Sequence, residues 1–152
     1  MATMEKRHAA YMVLHADLRV RSMEAALEFY RKFGFSLVDD VLIQGPLARN
    51  VSLERYDAVR LVLLRVSSVG AMIELLEFKD PLGNNELDPP IGPGMVSLLV
   101  SDLKMHIDRA SSEGLSPMSE IFPVRLSNQG NCKIVFYEDP DGNRLEFVEV
   151  GG

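Results

Sequence analysis

Two glutamates at matching places in two similar segments are the side chains of this sequence best arranged for chemistry. Residues 72–78 read Met-Ile-Glu-Leu-Leu-Glu-Phe and residues 144–150 read Arg-Leu-Glu-Phe-Val-Glu-Val, so Glu74 aligns with Glu146. If these segments belong to repeated units that share one cavity, the two carboxylates face each other across a pseudo-twofold axis. Such a pair can hold a metal ion, or the pKa of one carboxyl rises so that it serves as a general acid or base.

His15 adds an imidazole on the strand that opens the first repeated unit. Period-two alternation over residues 11–20 puts it on the face opposite the apolar positions Leu14, Ala16, Leu18 and Val20. Asp17 and Arg19 share the face of His15. Both could contact a substrate, Arg19 through a carboxylate or phosphate, and an internal Asp17–Arg19 pair at the cavity rim is the alternative.

The elements that would position these side chains occur twice, in the order strand, helix, strand, strand, strand. Val20 and Gly34 of the first copy align with Val100 and Gly114 of the second, and Ser22 and Asp102 are suitable helix N-caps. The strands predicted for the first copy are 11–20, 35–42, 59–66 and 71–78, with a polar loop over 44–57 as a candidate lid. The strands predicted for the second copy are 96–100, 124–126, 133–137 and 144–150.

Composition and length favour one globular domain over residues 1–152. We place module one at about 11–78, a Pro- and Gly-rich linker at 79–94 and module two at about 95–150. Hydrophobic residues make up 47% of the chain and the net charge is −6, with no basic stripe, which argues against nucleic acid as a partner. No apolar run approaches the roughly 20 residues that span a bilayer. The single cysteine, Cys132, fits a reducing compartment, so we expect a cytoplasmic protein.

Two motifs on this repeat resemble those of the vicinal oxygen chelate superfamily, the glyoxalase, bleomycin-resistance and extradiol-dioxygenase group. The first is His15 before an alternating strand, followed by a Ser-Met-Glu helix start at residues 22–24 and by Gly34. The second is Asp-Pro-Asp-Gly-Asn-Arg-Leu-Glu-Phe at residues 139–147. The resemblance covers roughly residues 11–150. It implies an α+β fold in which two tandem βαβββ modules form a cupped, partly closed barrel around one cavity.

The resemblance also implies a divalent metal held at four equivalent strand positions. Three of them carry His15, Glu74 and Glu146 here, and the fourth, a His or Gln in the family, is Met95. A thioether is a poor ligand for hard divalent ions. The remaining three side chains could still hold Mn, Fe, Co, Ni or Zn, or they could form an acid/base cluster that needs no metal.

The function that this resemblance implies is a metal-assisted lyase, isomerase or epimerase acting on a small substrate with neighbouring oxygens. Glu146 or Glu74 would move the proton. One alternative is a metal-free protein that binds an antibiotic or another small molecule, and another is a metal-free acid/base cyclase or isomerase. The missing second histidine argues against an extradiol dioxygenase.

The remaining predictions concern the cavity wall and the assembly. Residues that share the face of Met95, or that end a strand beside the closing turn, are expected to line the substrate cavity, namely Met95, Ser97, Leu99 and Tyr137. The resemblance implies a homodimer, with the cavity formed within one chain or across two chains.

Overall fold

The strands form two four-stranded sheets of the same topology, one in each module. The computed structural model describes residues 14–52, 54–83, 94–126, 128 and 130–151. The first sheet has the order β1 (His15–Arg19), β4 (Met72–Pro81), β3 (Tyr56–Arg65) and β2 (Ser36–Gln44). The second has the order β5 (Met95–Leu99), β8 (Arg144–Val150), β7 (Gly130–Glu138) and β6 (Phe122–Leu126). The first strand of each module pairs in parallel with the last, and the other pairings are antiparallel. The predicted α+β fold of two tandem βαβββ modules is confirmed.

The helices are α1 (Met23–Lys32), α2 (Pro46–Val51) and α3 (Leu103–Ser112). Ser22 caps α1 and Asp102 caps α3, each by accepting a hydrogen bond from an N–H in the first turn. A carboxylate from the last strand of each module adds a second cap. Glu77 accepts from the backbone N–H of Met23, and Glu149 accepts from that of Leu103. The second glutamate of each repeated segment is therefore a helix-capping residue. Its negative charge is also favourable there because the helix dipole is positive at the N-terminus.

One hydrophobic core includes buried residues of both modules, and the ring that follows α1 contacts the second sheet. The aromatic ring of Phe33, which follows α1, lies 5.0 Å from the ring of Tyr137 and 5.1 Å from that of Phe147 in the second sheet. Buried residues from both sheets complete this core, among them Leu18, Val62, Leu75, Val135 and Leu145. The faces of the two sheets that carry Glu74 and Glu146 point away from it.

The turn over residues 139–143 fastens the two modules together. The Nδ2 of Asn143 donates to the carbonyl of Arg19 at 2.9 Å, and its Oδ1 accepts from the N–H of Gly94 at 3.0 Å. The Tyr30 hydroxyl donates to Asp139 at 2.9 Å. Gly94 is required by the close approach, because a Cβ there would lie 2.5 Å from a methyl carbon of Leu18. The motif predicted to be a simple hairpin turn is therefore also the joint between the modules.

Several predicted boundaries differ from the structure, among them those of the loop and of the linker. Residues 44–57, predicted to be a loop, contain α2, because Pro46 suits a first helical position and Ala48 buries itself against Val59 and Leu76. β4 continues to Pro81, so it includes the first residues of the predicted linker 79–94. Residues 84–93 of that linker and residues 11–13 of the first predicted strand lie outside the described residues.

Candidate metal centre

The parallel pairing of β1 with β4 brings His15, Asp17 and Glu74 together on the open face of the first sheet. Asp17 is the register partner of Glu74, and His15 lies two register pairs before it, opposite Met72. Parallel partners project to the same side of a sheet, as do residues two apart on one strand. The face that alternation predicts for His15 is thus the face on which Glu74 lies.

The two ring nitrogens of His15 face two different carboxylates. Its Nδ1 lies 2.8 Å from Oδ1 of Asp17, and its Nε2 lies 3.3 Å from Oε2 of Glu74. His15 is half-buried and Asp17 is exposed, whereas Glu74 is only 8% exposed. The imidazole is therefore held between an exposed and a buried carboxylate.

The buried position perturbs Glu74. Desolvation raises the pKa of its carboxyl above the ordinary value of 4.5, and the negative charge of Asp17 raises it further, while His15 acts in the opposite direction. A carboxyl whose pKa is raised holds and releases a proton closer to neutral pH, which suits acid/base chemistry.

The donor atoms fit a divalent metal ion. One ligand atom from each of His15, Asp17 and Glu74 lies within 4.8 Å of the others, the one such group of His, Cys, Asp and Glu among the described residues. Ligand atoms about 2.1 Å from an ion and about 100° apart at it lie about 3.2 Å from each other. The 3.3 Å between Nε2 of His15 and Oε2 of Glu74 matches that separation. Imidazole and carboxylate suit Zn, Fe, Co, Ni or Mn.

Glu146 occupies the equivalent place in the second sheet and is not a member of the group around His15. It is the register partner of Ser97 on β5, as Glu74 is of Asp17 on β1. The Ser97 hydroxyl donates to Oε1 of Glu146 at 2.7 Å. The structure therefore places two of the three predicted ligands together and the third on the open face of the other sheet.

Arg19 lies beside an aromatic pair on the same strand face as His15. Its guanidinium carbon lies 4.7 Å from the ring centroid of Phe78 and 5.5 Å from that of Tyr56, and it donates to the Tyr56 hydroxyl at 3.3 Å. The two rings stack on each other with their centroids 5.4 Å apart. Cation–π contacts of this kind hold a guanidinium in one place. Sequence reasoning missed Phe78 and gave Tyr56 only as part of the candidate lid, since the β3–β4 register brings both to Arg19.

The other predicted cavity residues separate into two groups. Met95 and Leu99 are 57% and 77% exposed, and Ser97 between them bonds to Glu146, so all three lie on the open face of the second sheet. Tyr137, predicted to line the substrate cavity, instead lies in the core at 1% exposure. Alternation along β7 turns its ring toward Phe33, and its buried hydroxyl has no hydrogen-bond partner in the described part of the chain.

Comparison with known proteins agrees with the fold. The model of the Glyoxalase/Bleomycin resistance protein/Dioxygenase superfamily matches residues 12–147. A probable lactoylglutathione lyase of Vibrio parahaemolyticus is 27% identical over 90% of this chain and 89% of the relative. A protein of the same name from Synechocystis is 26% identical over 91% of this chain and 95% of the relative.

Solved structures share the architecture along almost the whole chain. A glyoxalase family protein from Bacillus cereus superposes with a TM-score of 0.67 at 18% identity, covering 99% of this chain and 100% of the other. A superfamily member from Sphaerobacter thermophilus superposes with a TM-score of 0.61 at 24% identity, covering 93% and 98%. At this identity the structures establish the fold alone. No helix among the described residues is long and apolar enough to cross a membrane.

Proposed function

Because the chain belongs to the Glyoxalase/Bleomycin resistance protein/Dioxygenase superfamily, we propose that it is a metal-assisted, glyoxalase-like lyase or isomerase. The observation that carries the proposal is the pair of donor atoms, Nε2 of His15 and Oε2 of Glu74, at a separation that fits one divalent ion. A bound ion would polarise the neighbouring oxygens of a substrate and so acidify an adjacent C–H. His15 and Glu74 would hold that ion from the first module.

The proton chemistry is assigned to the two matched glutamates. One carboxylate takes the proton from the carbon that bears the hydroxyl and returns it to the neighbouring carbonyl carbon. The hydroxyl proton passes to the carbonyl oxygen, and a hydroxy ketone or hemithioacetal is converted into its isomer. The raised pKa of Glu74, caused mainly by its burial, makes its carboxylate a stronger base than an exposed one. Glu146, held by Ser97 in the second sheet, is the second candidate for that transfer.

The substrate class follows from the relatives' name and from Arg19. Lactoylglutathione is a thioester with a neighbouring hydroxyl at one end and carboxylates at the other. Arg19 follows His15 by four positions on one strand, about 13 Å at 3.3 Å per residue. Its guanidinium is held by Tyr56 and Phe78 and would bind a carboxylate of an extended thiol substrate. We therefore propose an acyl thioester or hemithioacetal of a carboxylate-bearing thiol.

A second copy of the chain is proposed to complete the site. Glu146 is outside the group around His15, and the open face of the second sheet exposes the apolar side chains of Met95, Leu99 and Phe122. Exposed apolar surface around a carboxylate is typical of an interface. In a homodimer with twofold symmetry, the second sheet of each chain would cover the first sheet of its partner. The two contacts would be equivalent and would give two identical sites. Glu146 of one copy would then face His15 and Glu74 of the other.

Metal-free binding of a small molecule is the second candidate function, and Met95 is the observation that favours it. A thioether at the fourth ligand position weakens any site for a hard ion, and its 57% exposure leaves it available as part of an apolar wall. In that case His15 and Glu74 would form an ion pair beside the ligand and not a metal centre.

The test is metal content together with a thioester assay. Protein purified without chelator is analysed for first-row metals by mass spectrometry, and conversion of the hemithioacetal of glutathione and a 2-oxoaldehyde into its thioester isomer is followed with each metal. We expect one metal ion per chain and metal-dependent turnover in the wild type, with both lost in His15→Ala.

The matched control is Asp108→Ala, which removes an exposed carboxylate on α3 far from the open face. It should keep both metal and turnover. The enzyme proposal would be wrong if the wild-type protein holds no metal and gains neither activity nor stability on addition of Zn, Ni, Co, Mn or Fe. Metal-free binding of a small molecule would then be the favoured function.

A further inference from the structure

In both modules, the opening strand carries a polar side chain that contacts a predicted metal ligand. This side chain lies two residues after the ligand position of that strand. In the first module this side chain is Asp17, which lies 2.8 Å from Nδ1 of His15. In the second it is Ser97, which donates to Glu146 at 2.7 Å. Asp17 and Ser97 occupy equivalent register positions, opposite Glu74 and Glu146.

We propose that Asp17 and Ser97 are positioning residues, which fix the orientation of His15 and of Glu146 for metal binding. The inference rests on the proposed metal centre. The family resemblance implies only the metal ligands and no role for the residues beside them. The sequence analysis predicted that Asp17 and Ser97 contact the substrate, which is a different role.

Asp17 acts by fixing the tautomer of His15. Only one nitrogen of a neutral imidazole carries a proton, and the other has the lone pair that binds a metal. A carboxylate 2.8 Å from Nδ1 favours the proton there, which leaves the lone pair on Nε2. Nε2 is the nitrogen that faces Glu74. A carboxylate on the outer nitrogen of a metal-binding histidine commonly strengthens the site in this way.

The two ring nitrogens give Asp17 and Glu74 different parts in the proposed site. The ring nitrogens of His15 point in different directions, Nδ1 to Asp17 and Nε2 to Glu74. An ion between Nε2 and Glu74 lies on the far side of the ring from the Asp17 oxygen in contact with Nδ1. Asp17 therefore holds the ring, while Glu74 shares the ion.

Ser97 acts on a carboxylate and not on a ring. Its hydroxyl donates to Oε1 of Glu146, which restricts the rotation of that carboxylate. The residue type at each position fits its task. The imidazole N–H needs an acceptor, which Asp17 supplies, and the carboxylate needs a donor, which Ser97 supplies.

The experiment measures Zn²⁺ affinity by competition with a chromophoric chelator and the His15 tautomer by ¹⁵N NMR of the metal-free protein. The variants are Asp17→Ala, Asp17→Asn, Ser97→Ala and Ser97→Thr, with Asp108→Ala as the control for a lost carboxylate. We expect Asp17→Ala to weaken Zn²⁺ binding about 10- to 100-fold. Asp17→Asn, which keeps an acceptor without the charge, should fall between, and Ser97→Thr should bind better than Ser97→Ala.

The tautomer provides a readout that a merely structural role would not move. At a pH well above the ordinary imidazole pKa of about 6.5, His15 of the wild type should carry its proton on Nδ1, and Asp17→Ala should shift it to Nε2. Loss of the signal in His15→Ala assigns it. An unchanged tautomer in Asp17→Ala, or Zn²⁺ affinity equal to wild type in both Asp17→Ala and Ser97→Ala, would overturn the inference.

The experiment gives a different result if the proposed metal-dependent function is wrong. If wild-type protein binds Zn²⁺ no better than His15→Ala, the metal centre is wrong. The tautomer of the metal-free protein still decides whether Asp17 orients His15.

Discussion

The two modules share one backbone plan and carry different chemistry on the same strand positions. On the opening strands, His15, Asp17 and Arg19 of the first module correspond to Met95, Ser97 and Leu99 of the second. The matched glutamates of the last strands remain, Glu74 buried beside His15 and Glu146 bonded to Ser97. The first module therefore supplies charge and an imidazole, and the second supplies one carboxylate within an apolar surface.

That difference shows which features of a repeat serve the fold and which serve a site. Glu77 and Glu149 cap equivalent helices in both modules, and Ser22 and Asp102 do so as well. These caps are retained because every helix has unpaired N–H groups in its first turn. The open faces carry no such requirement, so one of them can become polar and the other apolar.

The largest expected effect comes from breaking the joint that holds the modules in one molecule. Asn143 is completely buried, and its side chain bonds to the backbone of Arg19 and Gly94 and to Asp139. Asn143→Ala removes these three hydrogen bonds at a buried site and should lower the free energy of unfolding by about 3 kcal/mol. Urea denaturation measures this. Asn131→Ala, at an exposed position of β7, is the control, and equal losses in both variants would contradict the role of the joint.

A histidine at the fourth ligand position should make the second module resemble the first. Met95→His places an imidazole beside Glu146 and should tighten Zn²⁺ binding about tenfold, or about 1.4 kcal/mol. Zn²⁺ competition titration measures the change. Met105→His, exposed on α3, adds the same residue away from the sheet and should bind as the wild type does. Unchanged affinity in Met95→His would mean that position 95 is remote from the metal.

The two helix caps should differ in strength because their surroundings differ. Glu77 is buried and also pairs with Lys79, whereas Glu149 is half-buried, with Lys133 at 3.8 Å. We expect Glu77→Gln to cost about 1–2 kcal/mol and Glu149→Gln less than about 1 kcal/mol. Thermal melts of the two variants compare them directly. The reverse order would show that burial does not set the strength of these caps.

The smallest expected effect is a gain of stability on neutralising Glu74. Between its ordinary pKa of 4.5 and its higher folded value, Glu74 keeps a proton that the unfolded chain has lost, so stability falls as pH rises through that window. Glu74→Gln removes this cost and should raise the Tm of metal-free protein by about 2–4 °C at neutral pH. Near pH 4 the difference should vanish. A lower Tm in Glu74→Gln at neutral pH would contradict the sign of the pKa shift.

Much of the fold could be predicted from the sequence, because periodicity, caps and turns are local signals. The repeat alone predicted the order of the strands along the chain. It also predicted that Glu74 and Glu146 occupy equivalent positions in the two modules. Helix α2 was missed because its six residues begin at Gly45–Pro46, a pair that also marks loops. The wrong placement of Tyr137 has a similar cause, since alternation does not say which face of a strand α3 covers.

The candidate site was predictable in its residues and not in its contacts. Alternation placed His15 and Asp17 on one face, but the distance from Asp17 to the His15 ring depends on side-chain rotamers. The contacts of Arg19 with Tyr56 and Phe78 depend on strand register over long separations. The place of Glu146 outside the group around His15 depends on how the two sheets are arranged in space, which no local pattern encodes.

The most direct test of this arrangement is a mixed dimer of His15→Ala and Glu146→Ala chains, co-expressed with two different tags and purified through both. If each site combines His15 and Glu74 of one chain with Glu146 of the other, the mixed dimer has one intact site and one site that lacks both groups. We predict one Zn²⁺ per mixed dimer at wild-type affinity and about half of the wild-type turnover, against neither in the two parent variants. A mixed dimer that binds Zn²⁺ no better than its parents would contradict the account.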